Sequence, residues 1–274
     1  VPAELDGFVD FFLEENSPHS ASKPLEKVED AFDPESPIVF FPDCETRHHY
    51  PELVGAAGRL FEAIEGRKAR LHTRDGGKGH ACCGFPLTSA GDAQQYARYR
   101  EELEFTLAGA ETVVTDCAAM AALHRPGGSF GEESPLRVIH LVEWLHDHLG
   151  ELEPPTPVSS EGFCFHDSCF VTRHLELGNE TRAVLARLVS GDLAEFAVNG
   201  DDAPCCGGPS HYHVVAPEAS ERCASSRLEQ MGEEGGERIL AASATCKKAF
   251  RRVGDDSSAT DLLELALRAF DLAP

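Results

Sequence analysis

Two adjacent cysteine pairs, each followed by glycine, limit what this chain can fold into: Cys82-Cys83-Gly84 and Cys205-Cys206-Gly207. A single cysteine precedes each pair (Cys44, Cys169) and another follows it (Cys117, Cys246). The spacings nearly repeat, with 38 and 36 positions before the pair and 34 and 40 after it. Corresponding cysteines lie 125, 123, 123 and 129 positions apart. Such order describes a duplicated unit with four thiols in each copy, hence two soft-metal sites.

The chain of 274 residues is long enough for two ordinary domains, and its 42% hydrophobic content supports a packed core. No apolar run reaches the ~20 residues of a membrane span. The first residues also lack the basic-then-apolar order of an export signal, so a cytoplasmic protein is expected. Dense disulfides belong mainly to small exported domains, which favours metal or redox use of the ten cysteines. A net charge of −23 argues against nucleic acid and against an anionic membrane surface. Lysine is scarce, with six against eighteen arginines, and the acidity reads as a solvated surface or a face for a basic redox partner.

Residues 1–36 read as an arm, with a short amphipathic helix near Phe8–Leu13 and then a Ser/Pro/Glu/Lys-rich stretch. A first domain is expected over 37–150, a Pro-rich linker over 151–162 and a second domain over 163–274. In the first, Ile38–Phe41 is a buried-strand run that ends just before Cys44, and Thr112–Thr115 is a strand ahead of Cys117. Residues 51–65 and 91–108 have helical periodicity, Arg70–His72 and Val138–His140 are short strands, and Leu141–Leu149 closes the unit as a helix. The order repeats with strands at Phe163–His166, Glu195–Val198 and Arg238–Ala241 and helices over 178–189, 216–235 and 261–272. The expected class is α/β: two pseudo-twofold halves with mostly parallel sheets and cysteines at the carboxyl ends of strands.

Four thiolates complete either a tetrahedral zinc site or one [4Fe–4S] cluster. Structural zinc draws on short knuckles with two to four residues between cysteines, and neither half has one. Adjacent thiols crowd one small ion, whereas a multi-iron cluster accepts them on different irons. Gly84 and Gly207 are expected to let the backbone approach such a cluster. Iron–sulfur is favoured; zinc and a thiol redox site stay open.

The stretches "FFPDC" (40–44), "HACCGFP" (80–86), "TVVTDCAAM" (112–120), "FHDSCFVTRHLELG" (165–178), "APCCGGPSHY" (203–212) and "SATCKKA" (243–249) resemble the tandem Cys-Cys-Gly family over residues 37–272. That family includes the B subunit of heterodisulfide reductase, the C subunit of anaerobic glycerol-3-phosphate dehydrogenase and the iron–sulfur subunit of the lactate-utilisation complex. The resemblance implies one [4Fe–4S] cluster on Cys44, Cys82, Cys83 and Cys117 and another on Cys169, Cys205, Cys206 and Cys246. The family motif ends in Cys-x-x-Cys; counted from the cysteines, Met120 and Ala249 stand where the last thiol would be. The lactate-utilisation type, which also tolerates Met at the first of these places, is the nearer match. The ferredoxin run Cys-x2-Cys-x2-Cys-x3-Cys-Pro is absent.

The resemblance therefore implies an electron-transfer subunit that links a flavin-dependent dehydrogenase of the 2-hydroxy acid type to a quinone or thiol/disulfide acceptor. Its partners would be that dehydrogenase, a ferredoxin-type iron–sulfur subunit, or both, with the complex either free in the cytoplasm or peripheral at the inner face of the membrane. Two alternatives are a disulfide reductase with a cluster as active site and a zinc-binding or metal-free interaction protein. Cys164 and Cys223 read as small buried residues. His166 either tunes a cluster or caps a strand end, and His48, His49, His211 and His213 read as solvated loop residues. Arg173 reads as a salt bridge or as positive charge beside a cluster. The Glu pairs at 101–102, 132–133 and 233–234 read as solvated faces, and Gly76-Gly77-Lys78-Gly79 lacks the spacing of a phosphate loop.

Overall fold

The computed structural model describes residues 28–72, 82–125, 134–150, 152–208 and 212–274. The helix at Phe8–Leu13, the Gly76–Gly79 loop, Glu132, Glu133 and His211 lie outside them. In the first half, β1 (Ile38–Phe41) is flanked by β2 (Arg70–Leu71) and β3 (Thr112–Thr115), and β4 (Val138–His140) completes a parallel sheet of order β2-β1-β3-β4. All four β1 side chains are buried, as an apolar run covered on both faces must be. Helices α1 (Cys44–His49), α2 (Pro51–Glu65), α3 (Phe85–Ser89), α4 (Ala93–Thr106), α5 (Ala118–His124) and α6 (Leu141–Leu149) connect the strands.

After the short strand β5 (Val158–Ser159), the second half repeats the plan. Strand β6 (Phe163–His166) leads through a single π-turn (Phe170–His174) to α7 (Gly178–Leu188). Strand β7 (Val189–Ser190) pairs with β5, and β8 (Ala194–Glu195) returns to the main sheet. Helices α8 (Tyr212–Val215) and α9 (Pro217–Glu233), strand β9 (Arg238–Ala241), helix α10 (Ala244–Val253), strand β10 (Ala259–Asp261) and helix α11 (Leu262–Ala269) follow. Its sheet order, β10-β9-β6-β8, is the first sheet read backwards with β6 in place of β1. The two halves thus share one topology, and every strand pair is parallel.

Helices α6 and α7 pack across the two halves, as do α2 and α11, and one buried cluster runs through both. At the seam, Lys248 Nζ lies 2.8 Å from Glu45 and 3.2 Å from His49 Nε2. The Lys247 ammonium sits 3.9 Å above the Tyr50 ring. The expected strand at Glu195–Val198 is only Ala194–Glu195, because the chain turns after Phe196 to bury that ring. No helix among the described residues is long and apolar enough to cross a membrane.

Candidate metal centres

All ten cysteines are free thiols. Cys44 opens α1 three residues past Phe41, and Cys169 precedes the π-turn three residues past His166. In parallel sheets these strand ends form one rim, and the Cys-Cys-Gly turns come back to it. In the first half Cys44 meets Cys82, and Cys83 meets both Cys82 and Cys117. In the second, Cys169 Sγ lies 3.9 Å from Cys205 Sγ, and Cys206 Sγ 3.1 Å from Cys246 Sγ. All eight predicted residues therefore gather as two sets of four.

The turns are built alike. Gly84 N–H donates to Cys82 Sγ at 3.4 Å, and Gly207 N–H to Cys205 Sγ at 3.3 Å. Both glycines have positive φ, +81° and +76°. A Cβ at Gly84 would lie 2.8 Å from the Tyr99 ring, and one at Gly207 would lie 2.6 Å from the Ser220 carbonyl oxygen. The glycines thus let the turn press against α4 and α9, whose atoms stand where a side chain would go.

The third cysteines are not equivalent. The register pairs Phe41 with Thr115 and His166 with Ala241, so residue 117 corresponds to 243. Cys117 is the N-cap of α5 and Ser243 the N-cap of α10, while Cys246 sits inside α10. Met120 therefore occupies the place of Cys246. The second half keeps the last thiol of the family's Cys-x-x-Cys and has Ser243 at the first, so Ala249 is not the missing position. This one-turn slip explains the 129-residue interval in a series of 125 and 123.

The surroundings differ as well. Asp116 joins the ends of β1 and β3 by accepting from Asp43 N–H at 2.6 Å and from Thr46 Oγ1 at 2.6 Å. Burial, with Asp116 and Glu45 nearby, pushes the Asp43 carboxyl up to about 8, and burial pushes Asp116 to about 6. The second half uses Asp167 instead. Asp167 accepts from Gly200 N–H at 2.7 Å and takes a two-pronged bond from Arg182, which also holds Glu195.

Contact with Cys82 and burial push the Cys44 thiol well up. Cys83 bonds Cys117 and pulls it down, but burial and Asp43 outweigh this and leave Cys117 at about 11. In the second half the hydrogen bonds from Cys169 and Cys206 pull Cys205 down, and the bond from Cys206 pulls Cys246 down to about 5. Cys205 is exposed, whereas its counterpart Cys82 is buried.

A small cavity between the halves joins the two sets, lined by Cys117 and Ala119 from one side and Cys169, Ser243 and Cys246 from the other. His166 is fully buried at the end of β6, edge-on to Phe196 and Phe250, with a ring nitrogen, Cys206 Sγ and Cys246 Sγ all within 4.8 Å of one another. Arg173 is exposed beside Cys169 and donates to the Asp201 carbonyl at 3.3 Å. His48 and His49 are not loop residues: they lie on α1, where His48 is buried and His49 meets Lys248. His213 is half-buried against the Gly208 carbonyl. Cys164 is buried in β6 as expected, and Cys223 packs beside Gly207.

A duplicated parallel α/β protein with four thiols at the strand ends of each half is a tandem cysteine-rich protein. The cysteine-rich (CCG) domain matches residues 38–119 and again 163–251, and the chain belongs to that family. It is 25% identical over 262 residues to the D subunit of dihydromethanophenazine:CoB–CoM heterodisulfide reductase from Methanosarcina barkeri, covering 90% of this chain and 61% of that protein. It is 25% identical over 215 residues to the B subunit of fumarate reductase (CoM/CoB) from Methanothermobacter marburgensis, covering 78% of this chain and 41% of that protein. A glutamate racemase isoform from Bacillus anthracis superimposes with a TM-score of 0.39 at 9% identity over 87% of this chain and 81% of that one, too slight a likeness to carry an argument.

Proposed function

We propose that the chain is the iron–sulfur electron-transfer subunit of a reductase complex, with one [4Fe–4S] cluster in each half. Cys44, Cys82, Cys83 and Cys117 would hold one; Cys169, Cys205, Cys206 and Cys246 would hold the other. The observation that carries this reading is the convergence of eight thiols into two sets, with Cys117 of one and Cys169 and Cys246 of the other lining one small cavity. The donors suit iron: each set offers four soft thiol ligands, and the Asp43 carboxyl meets Cys117 beside the first of them. When bound, such clusters supply one-electron transfer. The protein's own groups do the rest. The Gly84 and Gly207 amides hold sulfur lone pairs, Ser168 Oγ donates to Cys246 Sγ at 3.3 Å, and Phe85 and Phe170 meet at 5.2 Å across the seam to keep water out. The proposed partners are a flavin-dependent dehydrogenase and a ferredoxin-type subunit, in the cytoplasm or at the membrane through them. The chain spans 61% of the Methanosarcina barkeri relative, which leaves room there for further centres.

Anaerobic reconstitution followed by iron and sulfide analysis tests the proposal. The expected result is about eight irons and eight sulfides per chain and a low-temperature paramagnetic signal on reduction. One or two zinc ions per chain without sulfide would overturn it. A second reading, disulfide reduction at the second centre, is favoured by exposed Cys205. It predicts that a small disulfide alters the spectrum of the reduced protein, and an indifferent spectrum removes it.

A further inference from the structure

We propose that His166 is a ring-nitrogen ligand of the second centre, which makes that centre a mixed sulfur–nitrogen site while the first is all-sulfur. The inference rests on the reading above that each half holds a metal centre.

The register places His166 opposite Phe41 of the first half, both as the last residue of the central strand. Residue 72 in the same way corresponds to Phe196, each being the first residue past its short edge strand. The halves have exchanged the two rings. In the first, Phe41 stacks on His72 at 5.0 Å, which keeps the imidazole off the strand end. In the second, the histidine is at the strand end and the phenylalanine is set back, 6.5 Å away and edge-on. The thiol has moved too: where the first half has buried Met120, the second has Cys246. Histidine and displaced thiol thus occur together, in the half that lacks a cysteine at the helix N-cap.

His166 is 0% exposed, and neither ring nitrogen has an oxygen or nitrogen partner among the described residues; the polar group it meets is the Cys246 thiol. Its neighbours on either side, Phe196 and Phe250, offer no acceptor. The remaining polar atoms at the ring are Cys206 Sγ and Cys246 Sγ, and these three donors converge within 4.8 Å. Imidazole suits both iron and zinc. With the imidazole the second half offers five donors to the four irons of a cubane, so His166 would take the place of one of the four thiols. Nitrogen in place of sulfur on an iron raises the potential of a cluster, so the electron would rest on the second centre, the one with the exposed cysteine.

The test uses the full chain carrying [15N]histidine, reconstituted with iron and sulfide, alongside His166→Phe, which installs the residue the first half carries. Expected is a nitrogen hyperfine coupling on the reduced protein that changes with the histidine label and vanishes in His166→Phe, together with a more negative potential for one of the two centres. Absence of labelled-histidine coupling in the wild type, or its persistence in His166→Phe, overturns the inference. A potential shift without nitrogen coupling would mean a hydrogen bond to sulfur and also overturns it. His166→Asn is the second variant should the phenylalanine protein fail to fold. If no iron or sulfide loads, the proposed function fails instead, and Co(II) titration of wild type and His166→Asn decides the ligand. A visible band that shifts between the two sustains nitrogen ligation, and superimposable spectra refute it.

Discussion

The two halves share a topology, a turn and a set of four thiols, and they differ in what surrounds them. The first half hides its centre. Cys82, Cys83 and Cys117 are buried, and carboxylates precede two of its cysteines. The second half opens through Cys205, ties its strand end down with Arg182, and places a histidine among its thiols. It also carries Lys247, buried between Asp261 and Glu264, where the first half has Ala121. Duplication fixed the frame; the chemistry of each centre was then set by single side chains that the strands and sheet register do not depend on.

The largest expected separation is in metal content. Cys83→Ser and Cys206→Ser should each remove about half of about eight irons per chain, measured after reconstitution. Loss of all iron from either variant would mean one shared centre. Next comes Lys247→Met, which leaves Asp261 buried without its cation while Glu264 keeps Arg251 at 3.3 Å, and should cost about 3–5 kcal/mol in denaturant unfolding. Gly207→Ala should cost about 2 kcal/mol or more and Gly84→Ala less, since one added methyl meets a backbone oxygen and the other a ring that can tilt. Equal melting points would break that ordering.

The smallest effect concerns pH. Burial lowers His140 to about 4, and it fills the N-cap place that Asp261 holds in the second half. Its folded value lies below the unfolded one, so the unfolded chain takes up the proton first and stability falls as pH drops from about 6.5 towards 4. His140→Gln should lessen that fall by about 1 kcal/mol over the unit from pH 6.5 to 5.5, read from melting temperatures. Parallel curves for variant and wild type would count against the assignment.

Much of this frame is legible in the chain. Apolar runs such as Ile38–Phe41 and Phe163–His166 declare strands, and the helix over 51–65 is periodic enough to place to the residue. Helices that begin at the cysteines are not legible. The helices at 44–49 and 118–124 are too short for a period to register, and both are held by packing at the strand ends. That also hid the slip of Cys246. Counting from the nearest thiol aligns it with Cys117, and only the hydrogen-bonded register shows Ser243 there instead. His48 and His49 read as loop residues for the same reason. The exchange of histidine and phenylalanine between strand end and edge strand leaves no local mark, because each position is simply apolar or aromatic until the neighbouring strand is known.

The seam has a bearing on descent. Helices α2 and α6 of one half cover α11 and α7 of the other, and a single core runs through both. A lone half would leave that face bare, and the pseudo-twofold plan means a copy of itself would fit it. Because the halves are covalently joined, each face meets its counterpart at any dilution, and the two centres can differ without either half needing a copy of itself.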